Sequence, residues 1–467
     1  MLHVSTRGEA PEIGFTDAML TGLARDGGLY VPREFPVFDA ATIAGWAGSS
    51  YETVAEHVVG ALTGGEVAPD ALAAMIRESY ATFRHDAVCP LVQLDDNLFL
   101  MELFHGPTLA FKDVAMQLLG RLMDNALKQR GARATIVGAT SGDTGSAAIE
   151  AFRGLDQVDI FILYPHNRVS DVQRRQMTTV DAPNVHAIAL EGTFDDCQNM
   201  LKALFNDHAV RDELSLSGVN SINWARIVAQ TVYYFTAGLS LGSPHRPVSF
   251  AVPTGNFGDV LAGYVAKRMG LPVGRLHVAT NVNDILVRAL ETGRYDLREV
   301  VPTSAPSMDV QISSNFERLL FDVHGRDGAA VRRLMEHLRQ SHAFTIEDEP
   351  LKRIRAEFDA STVSQRETED EIAATFRGTG YVLDPHSAIA VRAARRALES
   401  DPATPVVALA TAHPAKFPPV VERATGVHPH LPAHLADLFE RQERTVVLPN
   451  NQATVESFIR KHARAGQ

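Results

Sequence analysis

Short β-rich runs recur through the middle of the chain, with helical patterns between them. The runs are Ala134–Val137, Asp159–Tyr164, Val185–Leu190, Ser249–Val252, Leu276–Ala279 and Val406–Ala410. In Asp113–Arg130 the apolar residues Ala115, Leu118, Leu119, Leu122 and Ala126 recur at steps of three and four, which places them on one helix face. Strands alternating with helices of this length predict an α/β fold of parallel-rich sheets covered on both faces.

At 467 residues the chain exceeds one ordinary core, so more than one lobe is expected. Residues 1–90 read as a mostly helical N-terminal lobe, with a turn-rich stretch at Asp26–Pro32, and Cys89-Pro90 marks its end. Residues 91–325 read as the α/β core. Residues 326–396 are charged and helix-prone and read as a helical insertion with a solvated face. Residues 397–467 read as the end of the core, followed by one helix after Pro449.

The net charge of -12 argues against non-specific binding to nucleic acid or anionic membrane. An anionic ligand must then be held by a local site working against the average field. Cys89 and Cys197 lie far apart and form no zinc pattern, so plain buried thiols and no metal are expected. The first residues carry His3, Arg7 and Glu9 without an apolar core, and no apolar run reaches the roughly 18 residues of a membrane span. A cytoplasmic location is the expectation.

Four segments carry chemistry. In HGPTLAFKD, His105–Asp113, Lys112 stands where a helical pattern begins. The positive end of a helix dipole and burial beside Leu109 and Phe111 would both disfavour its ammonium form. A lysine at a helix start is nevertheless ordinarily a solvated surface residue. GATSGDTGSAA, Gly138–Ala148, follows a β-run and opens a helix. It suits either an anion nest or a tight strand-to-helix turn without a ligand, and is neither GxGxxG nor a Walker loop. PTGNFGD, Pro253–Asp259, repeats that construction, which would place two anion sites along one crevice. ATAHPAKF, Ala410–Phe417, puts the Thr411 hydroxyl at a strand end, as a ring-nitrogen partner or a simple cap.

Together these segments resemble the threonine synthase family, in the branch carrying HGPTxAFKD. STRG at Ser5–Gly8, DGGLYVP at Asp26–Pro32, NSINWARI at Asn220–Ile227 and SSNFERL at Ser313–Leu319 extend the resemblance over nearly the whole chain, in the family's order. The resemblance implies a fold type II pyridoxal-phosphate enzyme, similar to the tryptophan synthase β subunit, with two open α/β lobes. It implies Lys112 as the Schiff-base lysine and general acid/base. Gly255, Asn256, Phe257, Gly258 and Asp259 would cradle the cofactor phosphate, and Thr411 would pair with the pyridine nitrogen. Ser141, Gly142, Asp143 and Thr144 would line the substrate carboxylate pocket through backbone N–H groups, with the Asp143 side chain turned away. Asn223 and Arg226, helped by Thr108, would hold the substrate phosphate, and His105 would shape the site.

The implied reaction converts the small molecule O-phosphohomoserine and water to threonine and phosphate, in a monomer or homodimer. The alternatives are an amino-acid dehydratase or phospholyase of the same fold, which releases a keto acid such as 2-oxobutyrate, and a non-catalytic carrier of the cofactor.

Overall fold

The computed structural model describes residues 1–465. A six-stranded sheet runs in the order Phe358–Thr362, Val273–Thr280, Val248–Pro253, Val406–Ala410, Leu98–Glu102, Leu91–Asp95. Its neighbours pair in parallel except for the last two, which are antiparallel. A five-stranded, all-parallel sheet runs Val446–Pro449, Val185–Glu191, Val158–Pro165, Ala134–Ala139, Leu216–Ser217. Every residue of Val158–Pro165, Val248–Pro253 and Val406–Ala410 is buried, as expected for parallel strands covered on both faces. All six β-rich runs read from the sequence are strands.

The N-terminal residues form helices and a two-stranded ribbon, His3–Ser5 with Tyr30–Pro32. They dock on the core through buried polar contacts. Thr6 Oγ1 donates to Glu317 at 2.6 Å, and Arg7 reaches the same carboxylate through Nε at 3.1 Å and Nη2 at 3.0 Å. Arg318 Nε donates to Tyr30 O at 3.0 Å. The STRG and SSNFERL segments are thus two halves of one joint.

The helical insertion expected at 326–396 is corrected by the sheet pairing. Its segment Phe358–Thr362 is an edge strand, parallel to Val273–Thr280, and its helix Pro385–Ser400 packs on the same sheet. The strand reads FDAST, with only Phe358 fully buried. An edge strand with so little apolar alternation leaves no period-2 signal.

Two helices that begin beside each other position the site. Helix Lys112–Arg130 packs against helix Asp143–Phe152, and a Cβ on Gly120 would lie 2.7 Å from Ala151 O. Backbone cannot yield there, so glycine sets how closely the two helices approach at that point. Gly120→Ala is expected to lower stability by about 1–3 kcal/mol through overpacking. An unchanged thermal midpoint would show that the helices have room to separate.

Candidate active site

Lys112 is the first residue of its helix. The preceding turn is built on Asp113, whose buried carboxylate accepts from the Thr108 N–H at 2.8 Å and the Thr108 hydroxyl at 2.6 Å. A side chain at Gly106 would strike Asp113, its Cβ lying 2.5 Å from that of the aspartate. Leu109 holds φ at 63°, a rare conformation for a leucine and one that concentrates at functional sites. The Phe111 N–H donates to Thr411 O at 2.8 Å, which ties the helix start to the end of strand Val406–Ala410. The Thr108 hydroxyl therefore serves the turn.

The Lys112 amine is buried, 4.7 Å from the Phe111 ring centre and 3.7 Å from Asp143 Oδ2. Burial pushes its pKa down, Lys416 and Arg226 push the same way, and Asp143 opposes them. Asp143 opens the facing helix. Its Oδ1 lies 2.8 Å from Lys416 Nζ and accepts from Gln173 Nε2 at 2.9 Å, and its Oδ2 accepts from Ser307 Oγ at 3.4 Å. Burial alone would raise this carboxyl, but the two lysines outweigh it and hold it far below the usual range. The side chain faces the lysines. Among the described residues, the N–H groups of Ser141, Asp143 and Thr144 have no protein acceptor, whereas those of Gly142 and Gly145 are taken by the Thr140 hydroxyl at 3.0 and 2.9 Å. A Cβ on Gly142 would run into Gln173.

The turn after strand Val248–Pro253 has its carbonyls drawn aside. Gly255 O accepts from Ser313 Oγ at 2.7 Å, and Asn256 O accepts from the Asn315 N–H at 3.1 Å and Nδ2 at 3.0 Å. The N–H groups of Gly255, Asn256, Phe257, Gly258 and Asp259 are left without protein acceptors among the described residues, at the start of helix Gly258–Arg268. Such an arrangement is an anion nest. A Cβ on Gly255 would sit 2.7 Å from Ser307 O and close it. Phe257 holds φ at 61° and buries its ring against Phe316 and Phe358. The Asp259 side chain turns away from the nest to the hydroxyls of Tyr233 and Tyr234. Only the backbone of Phe257 and Asp259 is available to an anion.

Asn223 caps helix Trp224–Ser240: its Oδ1 accepts from the Ala225 N–H at 3.1 Å and its Nδ2 donates to Met19 O at 2.8 Å. Both ends of the amide serve the fold and the docking of the N-terminal lobe. Arg226 is different. Its guanidinium is buried and donates to Val219 O at 3.3 Å, its Nε has no partner, and no carboxylate pairs with it among the described residues. Burial lowers its pKa to about 10.

His105 Nε2 is 2.7 Å from Glu102 Oε2, and Tyr381 donates to the other oxygen at 2.6 Å. These residues line a cavity of about 430 Å³ with Phe104 and His413. Lys112, Asp143 and Arg226 do not line it. Sequence reading gave no role to Ser307, Tyr233 or Lys416. The first two lie in no motif, and Lys416 stands in one without its partner being visible.

Three family models match the chain: "Threonine synthase N terminus" over residues 2–80, "Pyridoxal-phosphate dependent enzyme" over 85–412 and "Threonine synthase, C-terminal" over 387–459. Threonine synthase of Pseudomonas aeruginosa is 55% identical, covering 100% of both chains. That of Saccharomyces cerevisiae is 43% identical over 91% of this chain and 89% of its own. A crystal structure of threonine synthase with bound pyridoxal phosphate, from Brucella melitensis, superposes with a TM-score of 0.98 at 62% identity, covering 100% of both chains.

Burial pushes the Asp259 carboxyl up to about 7 from its ordinary 3.8, against the two tyrosine hydroxyls that lower it. The folded protein therefore holds this proton more tightly than the unfolded chain. The associated stability is complete below pH 3.8 and is lost as the pH rises through about 7. Asp259→Asn keeps an acceptor for the tyrosines and cannot ionise. In cofactor-free protein its thermal midpoint is expected to fall less than that of the wild type between about pH 4 and pH 7. Equal slopes would show that this carboxyl does not titrate in that window.

Proposed function

This chain belongs to the threonine synthase family of pyridoxal-phosphate-dependent enzymes, and from that premise we propose how its residues divide the work. Lys112 would hold the cofactor through its aldehyde and, once the substrate's amine has replaced it there, would move the protons of the reaction. The turn Ser141–Thr144 and Arg226 hold O-phosphohomoserine at its two anionic ends. The observation that carries this reading is the buried guanidinium of Arg226, which has no carboxylate partner. A charge taken out of water at a cost of several kcal/mol is retained where an anion will pair with it. By contrast, Arg318 is equally buried but donates to Tyr30 O, Ile222 O and Asn315, which leaves it a structural role.

The residues present suit pyridoxal phosphate. The acceptor-free N–H groups of Gly255–Asp259, at a helix start, would hold its phosphate. The Thr411 hydroxyl, at the end of its strand and without a protein partner among the described residues, would meet the ring nitrogen. The Lys112 amine, depressed by burial, is a nucleophile for the aldehyde. When bound, the cofactor supplies the electron sink that acidifies protons near the amino-bearing carbon of the substrate.

The protein contributes position and proton transfer. The free N–H groups of Ser141, Asp143 and Thr144 bind the α-carboxylate, and Arg226 grips the γ-phosphate. Fixing both ends holds the α- and β-protons within reach of Lys112 Nζ, which removes them in turn. Phosphate departs from the γ-carbon while still paired with Arg226. Water adds its hydroxyl at the β-carbon and its remaining proton goes to the departing phosphate, while Lys112 Nζ returns the two protons it took, one to the γ-carbon and one to the α-carbon.

Purified enzyme given O-phosphohomoserine is expected to release threonine and phosphate in equal amounts. Abundant 2-oxobutyrate with little threonine would sink this reading in favour of a lyase. Lys112→Ala is expected to lose both the visible absorbance of the bound cofactor and threonine formation. If the absorbance survives there and vanishes in Lys416→Ala, the two lysines exchange roles. Arg226→Gln is expected to reduce kcat/KM by about 2–5 kcal/mol, roughly 30- to 4,000-fold. A change under threefold, with the fold intact by circular dichroism, would place the phosphate elsewhere.

A further inference from the structure

Lys416 has no part in the division of work above, yet it is almost fully buried, 1% exposed. It ends the short turn Pro414–Lys416 that follows strand Val406–Ala410, so one segment carries both Thr411 and this lysine. Its Nζ donates to Thr108 O at 2.8 Å and lies 2.8 Å from Asp143 Oδ1. The other oxygen of that carboxylate is 3.7 Å from Lys112 Nζ.

We propose that Lys416 is a positioning residue: its ammonium locks the Asp143 carboxylate against the Lys112 amine, so that the three groups act as one charge unit. The inference rests on the reading of Lys112 as the cofactor's lysine. The carboxylate is held on one oxygen by Lys416 and Gln173, and on the other by Lys112 and Ser307. Three of these four partners are fixed parts of the scaffold. Only Lys112 has to move and exchange protons. Because Lys416 engages Oδ1, the charge that Asp143 presents to Lys112 is attenuated and constant in position. An isolated aspartate would form a full ion pair with Lys112 and hold its proton on.

Other charged groups face this unit. Arg226 repels Lys112, and Asp259 faces it from the start of helix Gly258–Arg268. Asp113 and His413 face Lys416, and burial keeps His413 neutral, pushing it down to about 4. All four remain in the variants that test the proposal and form a common background.

The test is the pH midpoint of the visible absorbance of the cofactor-loaded enzyme, which follows the proton on Lys112 Nζ. Lys416→Met removes a repulsion and leaves Asp143 to Lys112 alone, so the midpoint is expected to rise by about one unit or more. Asp143→Asn leaves Lys416 and Arg226 unopposed, so the midpoint is expected to fall. The double variant removes one charge of each sign, and its midpoint shift is expected to lie below the sum of the two single shifts, because Lys416→Met acts in part by freeing Asp143. If Lys416→Met does not fold with Asp143 uncompensated, Lys416→Gln, which keeps a donor toward Asp143 and Thr108 O, is read in its place, and an unmoved midpoint there overturns the proposal. So does an unmoved midpoint in Lys416→Met, or a shift in the same direction as Asp143→Asn. Borohydride reduction and peptide mapping of each variant separate the two levels. Cofactor on Lys112 with unmoved midpoints removes only the positioning role, and cofactor on another residue removes the reading of Lys112 as well.

Discussion

A carboxylate and two lysine side chains sit together out of water, Lys112 and Asp143 at the starts of two helices and Lys416 at the end of a turn beside them. Burying any one of them alone would cost several kcal/mol, and each is tolerable only because the others are there. Asp143 stays ionised against strong desolvation because Lys416 and Lys112 flank it, and Lys112 is kept reactive by the same burial that Asp143 only partly offsets. The architecture around this cluster keeps its members in register. Gly120 sets the approach of two helices, the Phe111–Thr411 bond joins one of them to a strand, and Thr108 fastens Asp113 beneath the turn.

The rest of the site follows from where parallel strands end. Strands Ala134–Ala139 and Val248–Pro253 each pass through a turn into a helix whose first N–H groups lack acceptors. Open α/β sheets bind ligands at such strand ends. Here the two nests come from different sheets, and Ser307 bridges them, its carbonyl closing on Gly255 and its hydroxyl reaching Asp143. A net charge of -12 is compatible with the proposed anion sites, because backbone dipoles and Arg226 act locally where the dielectric is low. The N-terminal lobe takes part indirectly. Asn223, three residues before Arg226, is fastened to Met19 O, so the docking of that lobe helps fix the start of the helix that carries the guanidinium.

In the proposed phosphate nest the main chain does the binding. Phe257 and Asp259 present N–H groups to the nest while their side chains go elsewhere, one into an aromatic cluster and one onto two tyrosines. Residue type is a poor guide at such positions. A phenylalanine and an aspartate would be weak choices for a phosphate site if side chains did the binding.

The strands, the helix starts and the glycine-rich turns were legible in the sequence because they depend on near neighbours: apolar period, a glycine where φ or space demands it, a lysine one residue before a helical run. That is why the six strands read from the sequence, the helix start at Lys112 and both glycine-rich turns stand where the sequence placed them. The edge strand Phe358–Thr362 was not legible, since a short polar strand at a sheet margin has no period to read. Nor were the partners of Asp143 and Asn223. Whether a polar side chain meets a lysine, a carbonyl or a ligand depends on which groups are desolvated together. Only the packed chain decides that, by bringing Lys416 from one end of the core and Met19 from the other against residues far away in sequence.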